Sequence, residues 1–147
     1  MTVPARDAAP LPIREHVLAV RVYWEDTDAG EIVYYANYLR YAERARSELL
    51  RTIGIDQRAL ADETGLLFAV RRVEVDYLAP ARLDDILEVV TTVTEARGAS
   101  VTMSQDVRRA GETLVQLAVV VACVNGRGRA TRFPPSLARA FAALADH

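Results

Sequence analysis

The stretch Tyr34-Tyr35-Ala36-Asn37-Tyr38-Leu39-Arg40-Tyr41-Ala42-Glu43-Arg44-Ala45-Arg46-Ser47-Glu48-Leu49-Leu50-Arg51-Thr52-Ile53-Gly54, residues 34–54, decides the architecture. Tyr38, Tyr41, Ala42, Ala45, Leu49 and Ile53 recur at steps of three and four, which places them on one stripe of a helix beginning at about Tyr34. Arg40, Glu43, Arg44, Arg46, Ser47, Glu48 and Arg51 supply most of the remaining surface. Gly54 is positioned to stop the helix in a left-handed cap. A helix with a single apolar stripe must bury it, so the rest of the chain has to provide a partner surface.

That partner follows directly. Gln57 to Thr64 reads as a short second helix closed by Gly65, and the chain from Leu66 to Asn125 then reads as strands. Leu67 to Leu78 alternates, with Val73, Val75 and Tyr77 set against Arg72, Glu74 and Asp76. Ile86 to Glu95, Ser100 to Arg108 and Thr113 to Asn125 follow, separated by turn signals at Arg97-Gly98 and Ala110-Gly111. Ahead of the helix, His16 to Trp24 alternates, placing Leu18, Val20, Val22 and Trp24 on one face. Phe133-Pro134-Pro135 opens a last helix running to about Ala145. The order predicts an α+β fold, a long antiparallel sheet with one helix segregated on its concave face. Residues 15–147 are expected to form one domain, preceded by a flexible tail over 1–14 that carries Pro4, Pro10 and Pro12. An open sheet of this kind leaves an edge, and pairing of two copies there is the expected way to cover it.

Composition narrows the chemistry. The 147 residues carry a net charge of −2, which favours neither nucleic acid nor an anionic membrane. No run reaches the roughly 18 apolar residues of a membrane span. Cys123 is the single cysteine and sits in the apolar run Val119 to Val124, so it reads as a core thiol in a reducing, cytoplasmic setting. The two histidines, His16 and His147, lie early in a strand and at the last position, which removes Ser-His-Asp and Cys-His machines. No cluster of metal-ligating residues and no Walker or dinucleotide glycine motif is present, so neither a metal nor another cofactor is expected. Asn125-Gly126-Arg127-Gly128-Arg129 lacks the strand-turn-helix setting of a phosphate cradle and reads as a loop.

What remains is the segment entering the long helix, where Glu25, Asp26 and Asp28 crowd one short loop. A carboxylate drawn toward Ile32, Val33 and Tyr34 would be partly desolvated and near others of its charge, which sharpens a base or nucleophile. The helix start adds backbone N–H groups without internal partners, suited to polarising a carbonyl. Two readings of these residues stand: Asp26 and Asp28 cap the loop and helix, or one of them does chemistry.

The blocks Arg21-Val22-Tyr23-Trp24-Glu25-Asp26-Thr27-Asp28-Ala29-Gly30, Val33-Tyr34-Tyr35-Ala36-Asn37-Tyr38, Glu43-Arg44-Ala45-Arg46, Tyr77 to Asp85 and Arg97-Gly98-Ala99-Ser100 occur in order over Val17 to Pro135. Together they resemble the 4-hydroxybenzoyl-CoA thioesterase family, most of all its bacterial acyl-CoA thioesterases associated with the Tol-Pal envelope system. The resemblance implies the hotdog fold, a sheet wrapped around a central helix, assembled as a homodimer or homotetramer. It implies an acyl-CoA substrate and association with the cell envelope as a partner system. It implies that Asp28 is the catalytic carboxylate, that the Tyr35 N–H polarises the carbonyl, and that Asp26 supports them. Arg97, Gly98 and Ser100 fall where that family places a nucleotide-contacting turn. The resembling subgroup often has His at the position of Tyr35 and sometimes Ser at that of Asn37; a backbone N–H survives either change, so the polarising role stands, and Asn37 is expected to support the site. Glu43 is a helical carboxylate that either reaches the same cleft or pairs with a neighbouring Arg. The competing function is a protein that binds acyl-CoA or acyl-carrier protein without turning it over. A dehydratase is disfavoured because no His lies in the helix-entry segment.

Overall fold

The computed structural model describes residues 15–145; the expected tail over 1–14 and the terminal His147 lie outside them. Five strands, β1 (His16–Arg21), β2 (Leu67–Tyr77), β3 (Ile86–Ala96), β4 (Ser100–Arg109) and β5 (Glu112–Val124), form one antiparallel sheet in the order β1-β3-β4-β5-β2. Three helices accompany it: α1 (Asn37–Thr52), α2 (Gln57–Thr64) and α3 (Pro135–Ala145). The predicted layout of a long helix on an antiparallel sheet is therefore observed. No helix among the described residues is long and apolar enough to cross a membrane.

The core follows from the two periodicities. Tyr38, Tyr41, Ala42, Ala45, Leu49 and Leu50 of α1 are buried, with Ile53 packed at the margin. On the sheet the buried face runs through Leu87, Val89 and Val93 of β3, Val101, Met103 and Val107 of β4, and Val115, Leu117, Val119 and Cys123 of β5. Cys123 is thus a core thiol as expected, and burial pushes its pKa up. Gly54 and Gly65 take the left-handed conformation that ends α1 and α2, at φ of 84° and 74°.

Two expectations are corrected. Trp24 does not continue the first strand: it is 65% exposed and lies in a 3-10 turn, Trp24–Asp26. The carboxylate of Asp26 takes the Tyr23 N–H, and the Asp26 N–H donates to Tyr23 O, which curls the chain after Val22. The long helix begins at Asn37 rather than Tyr34. The Tyr34 N–H is taken by Asp26 O, and Tyr34 O accepts from Asn37 N–H, so residues 34–36 form a separate turn.

Strand β2 is the edge that governs what the molecule can do next. A register shift between Val70 and Arg72 absorbs Arg71 as an extra residue. Val70 and then Val73, Val75 and Tyr77 therefore stand opposite Val121, Val119, Leu117 and Val115, all on the buried face of β5. Yet Val70, Val73 and Tyr77 remain 51%, 38% and 46% exposed. The chain's own helices do not reach far enough to cover the core face at this edge. Arg71 and Arg72 are exposed.

Candidate active site

The acidic loop is a tight hairpin. Asp28 N–H donates to Ile32 O and Glu31 N–H donates to Asp28 O, while Glu31 adopts a φ of 62°. This is the pattern of a turn followed by a left-handed residue, and it allows a three-residue connection between short extended arms. Thr27 pairs with Val33 across it, and Ile32 pairs with Arg82 on the far side. Asp28 Oδ1 accepts from Gly30 N–H at 2.8 Å, an Asx turn that fixes the side chain. The other carboxylate oxygen makes no hydrogen bond among the described residues. Asp28 is exposed in the single chain, so the desolvation expected for it is not supplied by its own loop.

Asp26 ties several parts of the loop together. Its carboxylate takes Tyr23 N–H, and its carbonyl takes both Tyr34 N–H and the Asn37 side-chain amide at 2.8 Å. Asn37 thereby ties the first residue of α1 to the acidic loop. Burial, and next the Asp26 carboxylate, hold the Tyr41 phenol above its ordinary value.

The turn at 34–36 leaves donors free. Among the described residues the Tyr35 and Ala36 N–H groups have no hydrogen-bond partner. Beside them lies a groove lined by Ile32, Val33, Tyr35, Tyr38, Tyr77 and Leu78, with Ala79 and Pro80 closing its end. The groove is apolar along most of its wall and sits where the uncovered strip of β2 meets the start of α1. Ala81 locks these parts together: its N–H donates to the Tyr38 hydroxyl at 3.0 Å, and its carbonyl accepts from Val33 N–H. The Ala79–Asp85 segment is braced in turn by Arg109, which donates to Pro80 O and to the Asp85 carboxylate. Asp28 itself does not line the groove but is bonded through its backbone to Ile32, which does.

The other expected positions are less uniform. Arg97 is exposed, and its guanidinium is held bidentately by Glu95 at 3.1 Å for both bonds. Gly98 is covered by the Arg132 guanidinium, which would have to swing aside to admit a side chain there. Ser100 is only 7% exposed, because it opens β4 opposite Ala122 beneath the turn. Glu43 is exposed and makes no ion pair among the described residues. It lies six residues into α1, about 9 Å from Asn37 along the axis, on the wall of a second cavity with Arg46, Ser47, Leu50, Phe68 and Phe141. It therefore belongs to a different recess from the groove.

One polar cluster escaped the sequence reading. Gln105 is fully buried in the middle of the apolar face. Its amide donates to Ala42 O and the Thr91 hydroxyl, both at 2.9 Å, and its carbonyl accepts from Arg46 at 3.0 Å. The only trace in the sequence is a polar residue in the alternation Val101, Met103, Gln105, Val107.

Comparison with known proteins now bears on this geometry. The sequence profile of the thioesterase superfamily matches residues 30–116, more than half of the chain. The chain belongs to the thioesterase superfamily. Its match begins just after Asp28 and takes in the groove, the helix and most of the sheet. Among curated members, the acyl-CoA thioesterase YbgC of Haemophilus influenzae is 45% identical over 123 residues, 83% of this chain and 90% of that protein. The acyl-CoA thioester hydrolase YbgC of Escherichia coli is 50% identical over 107 residues, 72% of this chain and 79% of that one. A probable thioesterase from Bartonella henselae superposes with a TM-score of 0.79 at 36% identity, covering 82% of this chain and 99% of the other. The hotdog fold expected of this thioesterase superfamily member is the fold observed.

Proposed function

We propose that this thioesterase hydrolyses acyl-CoA to the free acid and CoA, with Asp28 as nucleophile or general base and the Tyr35 N–H as the carbonyl-polarising donor. The observation that carries the reading is the unpartnered N–H of Tyr35 at the head of an apolar groove, one short hairpin away from a carboxylate with a free oxygen. The groove accepts the acyl chain, which removes its apolar surface from water. The thioester oxygen then meets backbone donors already held in place, and a donor so placed is typically worth about 3 kcal/mol to an oxyanion. Asp28 either attacks the carbonyl carbon, giving an acyl-aspartyl anhydride that water cleaves, or takes a proton from the water that attacks. In both routes CoA leaves as its thiol. The names of the relatives, acyl-CoA thioesterase and acyl-CoA thioester hydrolase, support this substrate class. Arg97 and Arg132, exposed at one turn, supply cations for the CoA phosphates. Thiol release from a panel of acyl-CoAs tests the proposal. Turnover of at least one member is expected; saturable binding with no turnover on any would favour the non-catalytic binding protein.

The assembly is proposed on the same footing. The apolar strip of Val70, Val73 and Tyr77 on an unpaired edge strand is the kind of surface that a second copy covers by extending the sheet. Such pairing would also bring a second chain alongside the groove and reduce the exposure of Asp28. Val73→Lys should therefore halve the sedimenting mass of a dimer, or split a tetramer, and lower kcat/KM at least tenfold. An unchanged mass would move the interface elsewhere.

A further inference from the structure

We propose that Tyr77 is a positioning residue for the carbonyl-polarising donor: from the end of β2 its hydroxyl holds the Tyr35 carbonyl and so fixes the turn that leaves the Tyr35 N–H free. This inference rests on the reading of Tyr35 given above.

The argument starts from the hydrogen bonds that the first turn does not make. In a regular helix the Leu39 N–H would donate to Tyr35 O, four residues back. Here it donates to Ala36 O at 3.1 Å, and the Asn37 N–H donates to Tyr34 O at 2.8 Å. The Tyr35 carbonyl is thereby left outside the helical ladder. Its partner is the Tyr77 hydroxyl at 3.0 Å, donated from 42 residues away in the chain. The two peptides flanking the Tyr35 Cα are thus both pinned through their oxygens, one locally by Asn37 and one by a tertiary bond from the sheet. With both oxygens held, the N–H groups of Tyr35 and Ala36 have fixed directions. Donors fixed before the reaction need no reorganisation when charge develops, which is what makes them effective.

Tyr77 is itself well held. Its ring meets that of Tyr35 edge-on, with centroids 6.2 Å apart, and that of Tyr38 at 5.7 Å. The Tyr38 hydroxyl is occupied by the Ala81 N–H, so this second ring is anchored to the loop that closes the groove. Burial, and then Tyr35, raise the Tyr77 phenol above its ordinary value, so the hydroxyl keeps its proton at neutral pH and remains a donor.

Tyr77→Phe keeps both ring contacts and removes only the hydroxyl. The expected result is a fall in kcat of roughly 5- to 10-fold, the size of one modest hydrogen bond, with KM within about twofold. Melting temperature should fall by no more than about 4 °C and sedimenting mass should be unchanged. Amide hydrogen exchange at Asn37 should quicken, since the turn loses its tertiary tie. Asp28→Asn is measured in parallel to separate the two claims. If Asp28→Asn is inactive while Tyr77→Phe keeps wild-type kcat, this inference fails and the site reading survives. If Tyr77→Phe alters KM or the melting temperature instead of kcat, the residue is merely a groove wall and the inference fails again. If Asp28→Asn retains full activity, the site reading itself is wrong and the role of Tyr77 falls with it.

Discussion

Asp28→Asn will leave a folded protein whose acyl-CoA turnover is lower by roughly 10²–10⁴-fold, the range expected when a positioned base or nucleophile is removed. The substitution changes little else. An amide oxygen can still accept the Gly30 N–H, so the Asx turn survives. The hairpin is held chiefly by backbone bonds from Asp28 to Ile32 and from Glu31 to Asp28. Its left-handed residue, Glu31, is untouched. Stability should stay within about 0.5 kcal/mol of the parent, as for most substitutions at exposed positions. What disappears is the charge and the proton-accepting oxygen, and either mechanism needs one of them. Steady-state thiol release together with a thermal melt checks both halves of the expectation. Full activity in the variant would remove the carboxylate from the chemistry and leave Asp28 as a turn cap.

The second large effect is on stability and lies away from the site. Gln105→Leu should cost about 2–4 kcal/mol, because it leaves the Thr91 hydroxyl and the half-buried Arg46 guanidinium unsatisfied at once. Gln105 lies in one row of the sheet with Thr91 of β3 and Leu117 of β5, beneath α1. A leucine fits the apolar row but leaves the Thr91 hydroxyl without its donor; Ala42 O loses only a second donor, since the helical ladder of α1 still serves it. It also strands Arg46, whose guanidinium has no carboxylate within salt-bridge distance among the described residues and relies on the Gln105 carbonyl. Burial already lowers the pKa of Arg46, with Glu43 acting against it, so the loss of an acceptor comes where charge is least welcome. For a chain of this size the melting temperature should fall by roughly 5–15 °C. Adding Arg46→Met to Gln105→Leu should recover part of the loss, since removing both partners of a polar pair is less costly than removing one. A calorimetric melt of the single and double variants decides the matter, and a single variant as stable as the parent would show that the cluster is not structural.

Which features were legible in the sequence follows from whether their causes were local. The stripe Tyr38, Tyr41, Ala42, Ala45 and Leu49 was readable because helical periodicity is written in adjacent turns, and all five residues are buried. The strands from Leu67 onward and the glycine stops at Gly54 and Gly65 were readable for the same reason. Trp24 was misread because its departure from the strand depends on the Asp26 carboxylate capturing Tyr23 N–H, which alternation does not encode. The helix start was misplaced because the turn at 34–36 is set by bonds to Asp26 and by Tyr77 from a distant strand.

The site divides in the same way. Asp28 and Tyr35 stand close in sequence, so their shared neighbourhood was visible at once. The exposure of Asp28 was not, because the tight hairpin over 28–32 turns its carboxylate outward instead of toward Ile32 and Val33. Ser100 stands next to a turn in the sequence, and its burial depends on pairing with Ala122 of a later strand. Gln105 and Tyr77 each looked like an ordinary strand residue. Their importance comes from partners 63 and 42 positions away in the chain, Ala42 and Tyr35.

The central claim is that a carboxylate and a backbone donor meet one thioester carbonyl at the head of the groove. A crystal structure with a ketone analogue of acyl-CoA, a methylene replacing the thioester sulfur, tests it most directly. The account predicts the ketone oxygen within about 3.1 Å of the Tyr35 nitrogen. It also predicts an Asp28 oxygen within about 3.5 Å of the carbonyl carbon, or one water away from it. An analogue whose carbonyl sits instead in the cavity beside Glu43 and Arg46, or whose binding leaves Asp28 turned to solvent, would contradict it.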